Sequence, residues 1–207
     1  MHSKLDKTMP SVRLATALIL LTLIFLSGCQ QLAKQVQPTD GIQTTSTPYQ
    51  RKDWPHWIDA DRDCQNTRQE MLIATSRIPV QFKDARRCTV KTGVWIGPYT
   101  GRKFTKASDV DIDHIVPLAH AHRHGADNWT RAQRRTFAND FDNLLVVDDA
   151  TNQAKSDKAP HEWLPPDRSF WCEYGRRWQH VKDKYRLIYS REERNALKRL
   201  AADCLPR

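Results

Sequence analysis

No two cysteines in this 207-residue chain are spaced C-x-x-C, which argues against a structural zinc site. No stretch approaches the roughly 20 apolar residues of a membrane-spanning helix. The longest apolar run, "LATALILLTLIFL" over Leu14–Leu26, is broken by two threonines. No internal repeat is visible, which argues against solenoids and propellers. Nothing resembles a helix-turn-helix or another base-reading module, so little sequence specificity is expected of any contact with nucleic acid.

What is present divides near residue 52. Met1–Arg13 is polar with a positive balance: Lys4, Lys7 and Arg13 stand against Asp6. The apolar run then ends in "LSGC", Leu26 to Cys29. A positive start, a run of this length and small residues before a cysteine together resemble the bacterial lipobox. That resemblance implies a signal peptide over residues 1–28 and lipidation at Cys29. Gln30, rather than an aspartate, follows the cysteine and implies the outer membrane. Residues 29–52 include "QQLAKQVQPTDGIQTTSTPYQRK", which has few large apolar groups to offset its ordering entropy. They read as a flexible tether spanning on the order of 25 Å. Residues 53–207 read as one domain with a real core. Losing residues 1–28 removes three cations and one anion and takes the net charge from +9 to +7. A basic surface suits nucleic acid and equally an anionic membrane. Cys64, Cys88, Cys172 and Cys204 remain, an even count that reads as two disulfides in an oxidising compartment. Of the three pairings, Cys64–Cys88 with Cys172–Cys204 is expected, because each pair ties one flank of the domain to itself.

The patterning points to α+β, a small antiparallel sheet with surrounding helices. "CQNTRQEMLIATS" has helical spacing behind caps at Asp63 and Asn66. Val94–Ile96 and Lys103–Thr105 flank the turn "GPYTG" as a hairpin. "DVDIDHIV" alternates like a strand, and Pro117 opens a helix to about His124 with Gly125 as its cap. "TRAQ" from Thr130 and "SREE" from Ser190 are capping boxes. The second of these opens a helix with an apolar face of Ala196, Leu197, Leu200, Ala201 and Cys204. "NLLVV", Asn143 to Val147, is a second buried strand, followed by a helical turn carrying Asn152.

Asp113-His114 at one strand end, Asn143 entering a second strand and Asn152 on the helix after it resemble the HNH nuclease motif. The quoted pieces are "DIDHIVPL", "FANDFDNLL", "NQAKSDK" and "WLPP". With the flanking cysteines they resemble secreted and lipid-anchored HNH nucleases related to the GmrSD C-terminal domain. The resemblance implies a ββα-metal (His-Me finger) core and phosphodiester hydrolysis of DNA, with RNA also open. It implies one divalent metal, Mg²⁺ first and Mn²⁺ as alternative, held by Asp113 and Asn152.

The residue types make chemical sense. Histidine is the natural base near neutral pH, so His114 is assigned to activate water. Hard cations prefer oxygen ligands and keep several waters. Asn143 is expected to orient His114 through backbone hydrogen bonds. Arg123, Lys155 and Lys158 are candidates for substrate phosphates. Asp111 shares a strand face with Asp113 and reads as solvated. Adjacent strand residues point to opposite faces, so Asp113 and His114 serve one site only if the strand ends or bends there. His120 and His124 stand at i, i+4, a spacing that can hold a metal. No third ligand accompanies them locally, so His120, His122 and His124 are not expected to be ligands. Most tryptophans, with Trp163 and Leu164 of "HEWLPP", read as core. Two rival functions stand beside the nuclease: a DNA-binding surface lipoprotein without activity, and a zinc-dependent hydrolase using His120 and His124.

Overall fold

The computed structural model describes residues 47–204. The expected signal peptide, the lipidation site Cys29 and most of the tether lie outside the described residues. Packing begins upstream of residue 53: the Tyr49 ring packs against the main core.

Two antiparallel sheets and six α-helices form the α+β fold among the described residues. Helix α1 (Thr67–Thr75) starts at Asn66, whose side chain accepts from the Gln69 amide. Strands β1 (Gln81–Phe82), β2 (Val90–Ile96) and β3 (Lys103–Lys106) make one sheet in that order. Strand β4 (Val110–His114) pairs with β5 (Leu144–Asp148) as a separate ribbon. Between them lie α2 (Leu118–Ala121) and α3 (Arg131–Ala138). Helix α4 (Asp149–Lys155) follows β5, and α5 (Trp171–Lys184) and α6 (Arg191–Asp203) close the chain. Both capping boxes are formed, at Thr130 and at Ser190.

The ribbon separates two cores. Val110, Ile112, Leu144 and Val146 face a cluster with Leu72 and Trp95; Leu145 and Val147 face a larger one with Phe137, Tyr174 and Trp178. Apolar surface on both faces explains the unbroken "LLVV" where a half-exposed strand would alternate. Asn143 locks the open end of this ribbon. Its carbonyl accepts from the Ile115 amide (2.8 Å). Its side chain accepts from Val116 N (2.9 Å) and donates to Val116 O (3.2 Å).

The structure corrects two local expectations. The helix opened by Pro117 is regular only to Ala121. It widens into a π turn over His122–Ala126, with Gly125 at φ 106°. In α6, Ala201 is exposed; the buried face is Glu193, Ala196, Leu197 and Leu200. Disulfides join Cys64 to Cys88 and Cys172 to Cys204.

Asn143→Ala removes two buried side-chain bonds and strands the Val116 amide and carbonyl. It is expected to cost about 2–4 kcal/mol, measured as a lower midpoint in urea. A loss under about 0.5 kcal/mol would contradict the locking role.

Candidate active site

His114 is the last residue of β4 and is 6% exposed. Its Nε2 lies 2.8 Å from the Ala138 carbonyl, so Nε2 carries the hydrogen and Nδ1 the lone pair. Trp57 stacks on the ring, with centroids 5.5 Å apart and planes at 21°. Trp57 itself sits at φ 56°, an uncommon backbone for a bulky residue. Burial lowers the His114 pKa to about 3; the Ala138 bond opposes this, and the charges of Arg51, Lys155 and His56 add to it. The ring is therefore neutral at ordinary pH, with the Nδ1 lone pair unprotonated.

Asp113 leaves the strand on the other face. The pairing stays regular to the end: Asp113 lies opposite Leu145 and His114 opposite Leu144. No bend brings the two side chains together. They converge because the ribbon stops there and a cavity of about 470 Å³ opens across its end. Asp113, His114 and Asn152 all line that cavity, with Arg51, Arg123 and Asp157 among the others.

The buried Lys155 ammonium reaches both Asp113 oxygens, Oδ1 at 3.0 Å and Oδ2 at 2.8 Å, and the His114 carbonyl at 2.8 Å. The Tyr99 hydroxyl donates to Asp113 Oδ2 (2.6 Å). Burial pushes the Asp113 pKa up and the Lys155 pKa down, and each partner's charge opposes the other's shift. Lys155 is thus committed inside the protein. Its expected contact with substrate phosphate is corrected, because a side chain with 0% exposure cannot reach one. Lys158 is exposed, donates to the Ala154 carbonyl and is not among the residues lining the cavity. Arg123 does line it, paired with Asp157 at 2.8 Å.

Asn152 donates from Nδ2 to Asp111 Oδ2 (3.1 Å), which leaves its Oδ1 for a ligand. Asp111, expected to be merely solvated, instead orients Asn152. A carboxylate offers about four lone-pair directions, and three on Asp113 are taken. One direction on its Oδ1, with Asn152 Oδ1, suits a hard cation that keeps most of its waters.

His120 of α2 and His124 of the π turn after it belong to a different cluster. His120, His124 and Glu193 each place a ligand atom within 4.8 Å of the others. Glu193 is the third donor that local sequence could not supply, since it arrives from α6. Yet Lys182 Nζ already lies there, 2.8 Å from Glu193 Oε2, 3.3 Å from His120 Nε2 and 2.6 Å from the Ile188 carbonyl. The Trp178 indole donates to the other Glu193 oxygen. Lys182 thus already engages one Glu193 oxygen and His120 Nε2. His122 bonds through Nε2 to the Thr47 carbonyl. Asp59, Asp61 and Asp63 form an exposed acidic group, a kind that is common without an ion.

Sequence reading missed Tyr99, Trp57 and Arg51 around the site, and it read Asp111 as solvated. Asp111 had a usable signal, its shared face with Asp113. The others come from distant segments whose local pattern says nothing of the site.

A family model described as "GmrSD restriction endonucleases, C-terminal domain" matches residues 65–200. An "Uncharacterized secreted protein" of Arthroderma benhamiae (strain ATCC MYA-4681 / CBS 112371) is 44% identical over 158 residues, 75% of this chain and 76% of that protein. No solved structure matches.

Two outcomes test the electrostatics. Lys155→Ala leaves the Asp113 charge buried and is expected to cost about 3–5 kcal/mol, read by urea unfolding. Burial depresses the pKa of His114 to about 3 and of His120 to about 2, so the unfolded chain takes up their protons first. Stability should be level above about pH 6.5 and fall steadily below it; a flat profile between pH 6.5 and 5 would contradict the two neutral histidines.

Proposed function

This chain belongs to the family of GmrSD restriction endonuclease C-terminal domains, and from that premise we propose that it is a metal-dependent endonuclease. Its substrate in this reading is the phosphodiester backbone of DNA, with RNA as a second substrate, cut with little sequence preference. One observation carries the reading: Asp113, His114 and Asn152 line a single cavity where two strands and a helix meet. β4, β5 and α4 then correspond to a ββα-metal core.

His114 Nδ1 accepts the proton of the attacking water as its oxygen bonds to phosphorus. The Ala138 carbonyl holds the opposite ring nitrogen and stabilises the imidazolium that results. Trp57 fixes the ring plane, and Asn143 holds the backbone immediately after His114. Asp113 and Asn152 would hold the divalent cation, Mg²⁺ or Mn²⁺. Bound there, it would polarise the phosphoryl oxygen and stabilise the leaving oxygen. Arg123 neutralises a non-bridging oxygen from the cavity mouth. The excess of basic residues favours a polyanionic substrate.

The two disulfides and the "secreted" name of the fungal relative support an extracytoplasmic site of action. A lipid anchor at Cys29 is supported by the positive start, the apolar run and the "LSGC" that ends it.

The full chain, incubated with plasmid and with linear single-stranded DNA, should cut in Mg²⁺ or Mn²⁺ and stop in EDTA. His114→Ala should lower the rate about 10²–10⁴-fold. Asn152→Ala should raise the metal concentration needed for half-maximal cutting. Undiminished cutting by His114→Ala would sink the mechanism. Binding without cutting in every divalent metal tried would favour a binding protein.

A further inference from the structure

We propose that Arg51 binds a substrate phosphate at the mouth of the His114 cavity, making the segment 47–57 part of the nuclease site. This role rests on the nuclease reading and adds to it a contact from outside the matched family domain, which begins at residue 65.

Arg51 lines the same cavity as Asp113, His114 and Asn152. Its positive charge is felt by the His114 ring and by the Tyr49 hydroxyl. The arginine across the mouth, Arg123, is paired with Asp157, whereas Arg51 has no ion-pair partner among the described residues. An exposed guanidinium that shares a hydrogen bond with the Tyr49 hydroxyl, and has no ion-pair partner among the described residues, keeps its other donors for a ligand beside the proposed base. Its planar fork matches two oxygens of one phosphate, which a lysine ammonium cannot do.

The backbone under Arg51 is held in place. His122 bonds the Thr47 carbonyl. The Tyr49 ring packs edge-on to His122 at 5.7 Å and tilted to the buried Trp54 at 6.3 Å. A 3₁₀ turn spans Arg51–Asp53, closed by Asp53 N to Gln50 O (3.0 Å) and Trp54 N to Arg51 O (3.1 Å). Six residues on, Trp57 stacks on His114. One short segment therefore presents both the cation at the mouth and the ring that steadies the base. His122, idle as a metal ligand, is the pin that holds the segment down.

The test uses the full chain carrying His114→Ala, which suppresses cutting, and a fluorescent oligonucleotide followed by anisotropy across a salt series. Adding Arg51→Gln should weaken binding about ten-fold at low salt, equally for unrelated base sequences. The slope of log affinity against log salt should fall by about 0.7–0.9, the loss of one phosphate contact. Arg51→Lys should keep the slope. In the otherwise wild-type chain, Arg51→Gln should raise KM and leave kcat within about two-fold. Unchanged affinity and slope in Arg51→Gln would overturn the role. Failure of the wild-type chain to cut in any divalent metal would sink the nuclease reading instead, and the anisotropy series would still decide for or against Arg51.

Discussion

A carboxylate taken out of water must meet positive charge and hydrogen-bond donors, and Asp113 is where this fold answers that demand. Lys155 and Tyr99 close around it from different parts of the chain. Lys155 is the last residue of α4, so the ion pair seats that helix against β4. Asn152 lies three residues earlier, on the same face of the helix, and is set down beside Asp111 as a result. The placement of Asn152 thus follows from satisfying a buried charge. The ion pair also bonds the His114 carbonyl, which couples the backbone of the proposed base to the same anchor.

The alternation rule for strands and the sharing of one site are compatible here without any distortion. Asp113 and His114 point to opposite sides of a regular ribbon. One joins the Lys155 network and the other stacks on Trp57 and bonds Ala138. A ribbon end is where both faces are reachable from a single opening. Asn143 makes that end abrupt by gripping Val116 from two sides.

Much of this was legible in local pattern. The strand around Asp113, the Leu144–Val147 run and the capping residues Asn66, Thr130 and Ser190 depend on neighbours within a few positions. Those are the interactions a sequence displays directly. Asp113, His114 and Asn152 could be gathered because motif order carries information beyond local propensity. Lys155 could not be read correctly, since a lysine in "NQAKSDK" gives no sign of a carboxylate 42 positions away. The same holds for Glu193 and Lys182, which meet His120 through helix packing. Arg51 was hidden for another reason. Its segment has too few large apolar residues to look folded, yet Tyr49 and Trp54 suffice to hold it.

The disulfides close spans of 24 and 32 residues. Loops of that size remove roughly 3–4 kcal/mol each from the freedom of the unfolded chain. Reduced, the same sequence gives up that margin, a large share of the 5–15 kcal/mol that ordinarily separates folded from unfolded domains. Folding is thereby tied to oxidation. Under the proposed nuclease reading, such a chain is least well assembled in a reducing interior, and it gains its full stability only where its cysteines can pair.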